Sequence, residues 1–188
     1  MSKSELKTRK ILIGVSGSIA AYKCCTLVSA LVKDEFDVQV VTTKSAKNFV
    51  GNSTFEGLTG KRVFDDVYEP GRQMDHIHLV RESDLFIIYP ATANTINRLA
   101  SGLAEDSIGA LALANAYNIP LWVAPAMNSQ MLLHPATQDS LDRLKKWGTE
   151  LLFGNEGALA CGEFGIGRLI EPEEVLLRIN SFYEGKQL

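Results

Sequence analysis

Four short apolar runs, Ile11 to Val15, Val38 to Thr42, Leu85 to Tyr89 and Leu121 to Ala124, are separated by longer stretches in which apolar side chains recur at helical spacing. The runs are rich in β-branched residues and do not alternate with polar ones, so both faces of each strand need cover. Strands of that kind pair in parallel and are joined by helical crossovers. This predicts an α/β fold, a doubly wound parallel sheet in a Rossmann- or flavodoxin-like three-layer sandwich. Ligands in such sheets bind at the carboxyl ends of the strands. Lys61 to Val67 reads as a further short strand or an irregular turn, and Glu150 to Phe153 as a last strand. Pro135 to Trp147 reads as a helix, with Pro135 in its first turn and Gly148 at its stop, and Pro172 opens a final helix from Glu173 to about Tyr183.

With 188 residues, 46% hydrophobic and 22% charged, the chain fits a single domain spanning residues 1–188, with residues 1–9 as a flexible N-terminus. A net charge of −3 gives no reason to expect nucleic-acid or anionic-membrane binding. The basic start is followed by an apolar run too short for a signal peptide or a membrane span, so a cytoplasmic protein is expected. Its three cysteines include the adjacent pair Cys24-Cys25 and make no disulfide framework, and no Cys/His spacing suggests a metal site. Free thiols are expected.

The turn after the first run, Gly14-Val-Ser-Gly-Ser-Ile-Ala-Ala-Tyr-Lys23, opens a helix whose free N–H groups suit a phosphate. It is not GxGxxG. After the second run stands Thr42-Thr43-Lys44-Ser45, where a dinucleotide site would carry an acidic residue for the ribose diol. Hydroxyls there favour a mononucleotide such as FMN, although glycine and serine after a strand also serve as plain turn chemistry. His76 and His78 follow the loop Glu69 to Asp75 and would lie near a strand end, each either a general base or a structural histidine. Pro90-Ala-Thr-Ala-Asn-Thr95 and Ala124-Pro-Ala-Met-Asn128 place small residues and an asparagine at the rim. Asn94 and Asn128 either cap the helices that follow or present amides to a ligand; two such loops at adjacent strand ends favour a ligand. The segment Gly157 to Arg168, with four glycines, reads as a mobile flap presenting Cys161 and Arg168.

Five segments together resemble the homo-oligomeric flavin-containing cysteine decarboxylases: Val15 to Lys23, Asp75 to Leu79, Pro90 to Thr95, Pro125 to Asn128 and Ala160 to Arg168. The resemblance runs from residue 10 to about 180. It implies a homo-oligomer, a trimer or a multiple of trimers, with FMN near the subunit contacts. It also implies oxidation of a substrate CH₂–SH group to a thioaldehyde, whose sulfur is then the electron sink for loss of CO₂, and finally return of the electrons to the ene-thiolate. The expected substrate is 4'-phospho-N-pantothenoylcysteine, a small-molecule precursor in coenzyme A biosynthesis.

By the same resemblance His76 is the catalytic base, and His78, on a variable position, is structural. Asn128 holds the substrate carboxylate, with Ala126, Met127 and Ala160 beside it, and Cys161 donates a proton in the reductive half. Arg168 contacts the substrate phosphate or the flap itself. Ser16, Gly17, Ser18, Thr43, Ala93, Asn94 and Ser107 fall on the flavin-binding turns. Leu132 stands where relatives carry tryptophan or tyrosine and would alter one wall of the substrate site. Glu105-Asp106-Ser107 is a looser match. The ligase domain fused in many bacterial relatives is not expected, so a separate synthetase would supply substrate. Alternatives are a decarboxylase of peptides ending in cysteine, against which the Ala160-Cys161-Gly162 motif counts, and a non-catalytic flavin-binding regulator. A prenyl-FMN synthase is disfavoured by the Pro-Ala-Met-Asn loop.

Overall fold

The computed structural model describes residues 9–160 and 162–185. Its main sheet has five strands: β1 (Lys10–Val15), β2 (Asp37–Thr42), β3 (Leu85–Ala91), β4 (Leu121–Pro125) and β5 (Glu150–Leu151). Their order is β2-β1-β3-β4-β5, all pairs parallel. The chain reverses its direction of travel across the sheet between β1 and β3, the switch point at which this class of fold opens a crevice.

Side chains alternate between two cores. Ile11, Ile13, Val38, Val40, Leu85 and Ile87 face one layer, made by α1 (Ala21–Lys33), α2 (Asn52–Thr59) and α8 (Pro172–Gly185). Leu12, Val41, Phe86, Ile88, Leu121 and Val123 face the other. That second layer contains α3 (Asp75–Arg81), α4 (Ala93–Ala100), α5 (Ser107–Asn115), α6 (Ser129–Leu133) and α7 (Pro135–Lys146). Every residue of β3 is buried, as a central strand covered on both faces requires. In α1 the buried positions Ala21, Cys24, Leu27, Val28 and Leu31 follow the helical period. Cys24 and Cys25 are free thiols, and burial pushes the Cys24 thiol well above its ordinary range. The three-layer sandwich is the one the sequence pattern predicts.

Of the two readings of Lys61 to Val67 the irregular turn holds, and the strand expected over Glu150 to Phe153 needs correction. Of Lys61 to Val67 only the fully buried Phe64 joins the sheet, through one parallel bridge to Val41, so the segment is an irregular turn around a single anchored side chain. The strand expected over Glu150 to Phe153 stops at Leu151, and Phe153 pairs antiparallel with Leu169 instead. At Gly154 a Cβ would stand 2.5 Å from the Arg168 carbonyl oxygen, so glycine permits the close approach of the two segments. The chain leaves the sheet there to pack against its own return. Among the described residues no helix is long and apolar enough to cross a membrane.

Candidate functional site

Three turns converge at the carboxyl ends of β1, β2 and β3. Ser16 is buried, and its hydroxyl donates to the Pro90 carbonyl at 2.8 Å while accepting the Thr92 N–H at 2.9 Å. It therefore ties the β1 and β3 ends together. At Gly17 a Cβ would lie 2.6 Å from the Ser45 side chain, so glycine lets the first turn lie against the second. Thr43 caps the 3-10 turn Lys44–Asn48 and bonds the Ser45 hydroxyl at 3.0 Å, leaving the amides of Lys44 and Ser45 without an intrahelical acceptor. Ser18 accepts the Ala20 N–H at 3.2 Å.

The cap of α4 is Thr92, not Asn94, so the capping alternative for Asn94 fails. A threonine one residue before the helix takes the Thr95 N–H at 3.3 Å and leaves Asn94 exposed in the first helical turn, with Ala93 buried beneath it. Asp106 caps α5, and the Ser107 hydroxyl donates to the Thr42 carbonyl at 3.1 Å. Thr43, Lys44, Ser45, Asn94 and Ser107 line a cavity of about 310 Å³. Of the carboxylates on its wall, Asp65 is held by Lys47 and Asn52, and Glu105 by Arg98. Burial alone would raise Asp65, but those partners bring its carboxyl below the usual range. Hydroxyls, amides at three turn or helix starts and a glycine close approach suit a phosphate and a polyol chain.

A second cavity, of about 620 Å³, is lined by Ser18, Lys23, Ala126, Met127, Asn128, Ala160 and Arg168, among others. Asn128 caps α6: its Oδ1 accepts the N–H groups of Gln130 at 2.8 Å and Met131 at 3.1 Å. Its Nδ2 donates to Glu163 Oε2 at 3.3 Å. The cap and ligand roles are thus compatible, because capping fixes which end of the amide points outward. Leu132 is buried in the core and is not among the residues that line this cavity.

The glycine-rich segment forms a two-stranded antiparallel hairpin, β6 (Gly157–Ala158) with β7 (Phe164–Gly165). Its return limb docks on the Asn128 loop. The Met127 N–H donates to the Gly167 carbonyl at 3.0 Å, and the Ser129 hydroxyl to the Ile166 carbonyl at 2.7 Å. Gly167 has φ +103°, and a Cβ there would stand 2.3 Å from the Met127 oxygen. Gly167→Ala is expected to destabilise the fold by about 1–3 kcal/mol through backbone strain alone, with the clash adding to it. An unchanged thermal midpoint would contradict this packing. Arg168 donates to Glu171 at 2.6 Å, and Lys23 holds the same carboxylate at 2.8 and 2.9 Å. The hydrogen bond from Lys23 is the main reason that Glu171 lies below the usual carboxylate range. Arg168 thus braces the root of the hairpin, with its guanidinium against Gly157. Cys161 lies outside the described residues.

His76 sits on α3 rather than at a strand end, since the Arg72–Asp75 contact and the first-turn Asp75 start a helix there. It is half-buried, whereas His78 is exposed. Its Nδ1 is enclosed without a hydrogen-bond partner among the described residues. His76 lines a third cavity, about 1040 Å³, between α3 and α5, with Tyr68, Val80, Leu113 and Ile119. That cavity shares Val67 and Tyr68 with the turn cavity but no residue with the Asn128 cavity. One chain therefore brings Asn128 together with Ser18, Ala126, Met127, Ala160 and Arg168, and brings Thr43 together with Asn94 and Ser107. It keeps His76 apart from Asn128. Sequence reasoning gave no role to Thr92, Ser129, Glu163 or Glu171. A threonine before a helical pattern could have flagged Thr92, while the others depend on contacts across the fold.

The fold, the phosphate-suited turns and the amide-lined cavity define an α/β protein with a ligand crevice at the carboxyl ends of its strands. A sequence profile of the flavoprotein family matches residues 1–183. The chain belongs to that family, and within it to the flavin-containing cysteine decarboxylases. It is 40% identical over 185 residues to the coenzyme A biosynthesis bifunctional protein CoaBC of Vibrio vulnificus (strain YJ016), covering 97% of this chain and 46% of that protein. It is 41% identical over 167 residues to CoaBC of Mycobacterium tuberculosis (strain ATCC 25618 / H37Rv), covering 89% and 40%. The chain thus spans about half the length of these relatives, or less. Among solved structures, a cysteine-to-serine mutant of PPC decarboxylase complexed with pantothenoylaminoethenethiol is similar with a TM-score of 0.85 and 30% identity, over 94% of this chain and 99% of that one. The FMN binding protein AtHal3 gives a TM-score of 0.82 at 30% identity, over 95% and 98%.

Proposed function

We propose that this chain is an FMN-dependent decarboxylase of 4'-phospho-N-pantothenoylcysteine, yielding 4'-phosphopantetheine for coenzyme A in the cytoplasm. The observation that carries the reading is the Asn128 amide, turned by its capping bonds so that its donor end faces the hairpin that bears Cys161. Bound FMN would supply a two-electron acceptor and donor. Thr43, Ser45, Asn94, Ser107 and the turn at Gly17 would hold its phosphate and ribityl chain.

In this scheme His76 takes a proton from the substrate as its CH₂–SH group is oxidised to a thioaldehyde. Asn128 orients the carboxylate with a neutral donor, which does not stabilise the ground-state anion so strongly that loss of CO₂ is opposed. The electrons left behind pass to the sulfur as an ene-thiolate. Cys161 then gives the proton that accompanies reduction to the saturated thiol. Arg168 acts on the hairpin through Glu171 rather than on substrate phosphate.

The separation of His76 from Asn128 within one chain supports a homo-oligomer, a trimer or a multiple of trimers, in which a second copy brings the two cavities together. Tyr68 and Leu113 beside His76, and Met74 at the start of α3, are 79%, 54% and 54% exposed, side chains suited to such a contact. Asn128→Asp tests the carboxylate assignment. Aspartate caps a helix as well as asparagine, so the fold and flavin content are expected to stay. The carboxylate substrate, however, would meet a like charge and bind roughly 100-fold more weakly. Unchanged affinity would remove Asn128 from the substrate site.

A further inference from the structure

We propose that Glu163 is a specificity-determining residue whose carboxylate occupies the Asn128 amide until the carboxylate of the substrate displaces it. The inference rests on the reading of Asn128 as the group that holds that carboxylate. Asn128 Oδ1 is committed to the N–H groups of Gln130 and Met131, so its NH₂ is the end offered outward. This NH₂ donates to Glu163 Oε2 at 3.3 Å. The group found on the amide is therefore of the same kind as the group that the reaction must place there.

The hairpin sets the register of this contact. Ile166 and Gly167 are fastened to Ser129 and Met127, and the Glu163 carbonyl accepts the Leu159 N–H at 2.8 Å. Glu163 thus projects from a limb anchored three and four residues further on. A bond of 3.3 Å is longer than the 2.7–2.9 Å usual for charge-assisted contacts, and Glu163 itself is exposed. The substrate carboxylate can then take the place of Glu163 on the amide by exchange of one hydrogen bond for another of the same kind.

Exchange of this kind selects by functional group. A ligand that brings its own carboxylate restores the hydrogen bond from the Asn128 amide that it displaces. A ligand without one leaves Glu163 in place, and once CO₂ has gone Glu163 returns to Asn128 and disfavours retention of the decarboxylated product.

The test uses the flavin-loaded protein and two unreactive ligands, the proposed substrate with serine in place of cysteine and the same molecule lacking the carboxylate. Calorimetry on wild type and Glu163→Ala should show the carboxylate ligand binding roughly 3- to 10-fold more tightly to the variant, the size of one hydrogen bond's net contribution. The second ligand should bind unchanged. Equal shifts for both ligands, no shift, or weaker binding of the carboxylate ligand would overturn the proposal. If neither ligand binds wild type, the pantothenoylcysteine reading falls separately. The side-chain amide resonance of Asn128 then decides for Glu163: it should move on Glu163→Ala, and an unmoved resonance overturns the placeholder.

Discussion

His76→Asn is expected to leave flavin content unchanged and to lower turnover by about 10²- to 10⁴-fold, the usual contribution of a positioned acid or base. Asparagine occupies a similar volume on α3 and keeps a polar group, but it cannot accept a proton near neutral pH. The half-buried ring, with Nδ1 enclosed and without a hydrogen-bond partner among the described residues, is unusual for a structural histidine, which would satisfy both nitrogens. Because His76 and Asn128 line different cavities of one chain, the variant also tests how the site is assembled. Mixing His76→Asn with Asn128→Asp copies and allowing exchange should restore part of the turnover if a site combines residues of two subunits. Turnover retained by His76→Asn alone would refute its role as base.

The second large effect concerns Cys161. Cys161→Ser should still release CO₂, yet form the saturated thiol roughly 100-fold less well. A serine hydroxyl is far less acidic than a thiol and is poorly suited to give up a proton at the moment of reduction. The substitution exchanges only sulfur for oxygen. The ene-thiol should accumulate, read by mass spectrometry of the product. Normal output of saturated thiol would assign the proton to another group.

The sheet and its two covering layers were legible because apolar runs such as Leu85 to Tyr89, lacking alternation, leave few alternatives to a central parallel strand. The rim was also legible, since glycine, hydroxyl and amide residues cluster after each run. Asn128 was read both as cap and as ligand, and it serves the first role in a way that prepares the second. What the sequence did not disclose depends on distance across the fold. The docking of Ile166 and Gly167 on Ser129 and Met127 joins residues about forty apart, and Lys23 meets Glu171 across 148 positions. The cap Thr92 was overlooked because Asn94 offered an equally plausible side chain two residues later. His76 was expected near a strand end because the loop before it ends in polar residues that in fact start α3. Its distance from the Asn128 cavity is a property of the folded chain that no local pattern encodes.

The most direct test gives the purified, flavin-loaded protein 4'-phospho-N-pantothenoylcysteine and, separately, a peptide ending in cysteine, and follows both by mass spectrometry. The account predicts conversion of the small molecule with loss of CO₂ alone, giving 4'-phosphopantetheine, and little or no change in the peptide. Conversion of the peptide with loss of CO₂ and two hydrogens, and none of the small molecule, would contradict it.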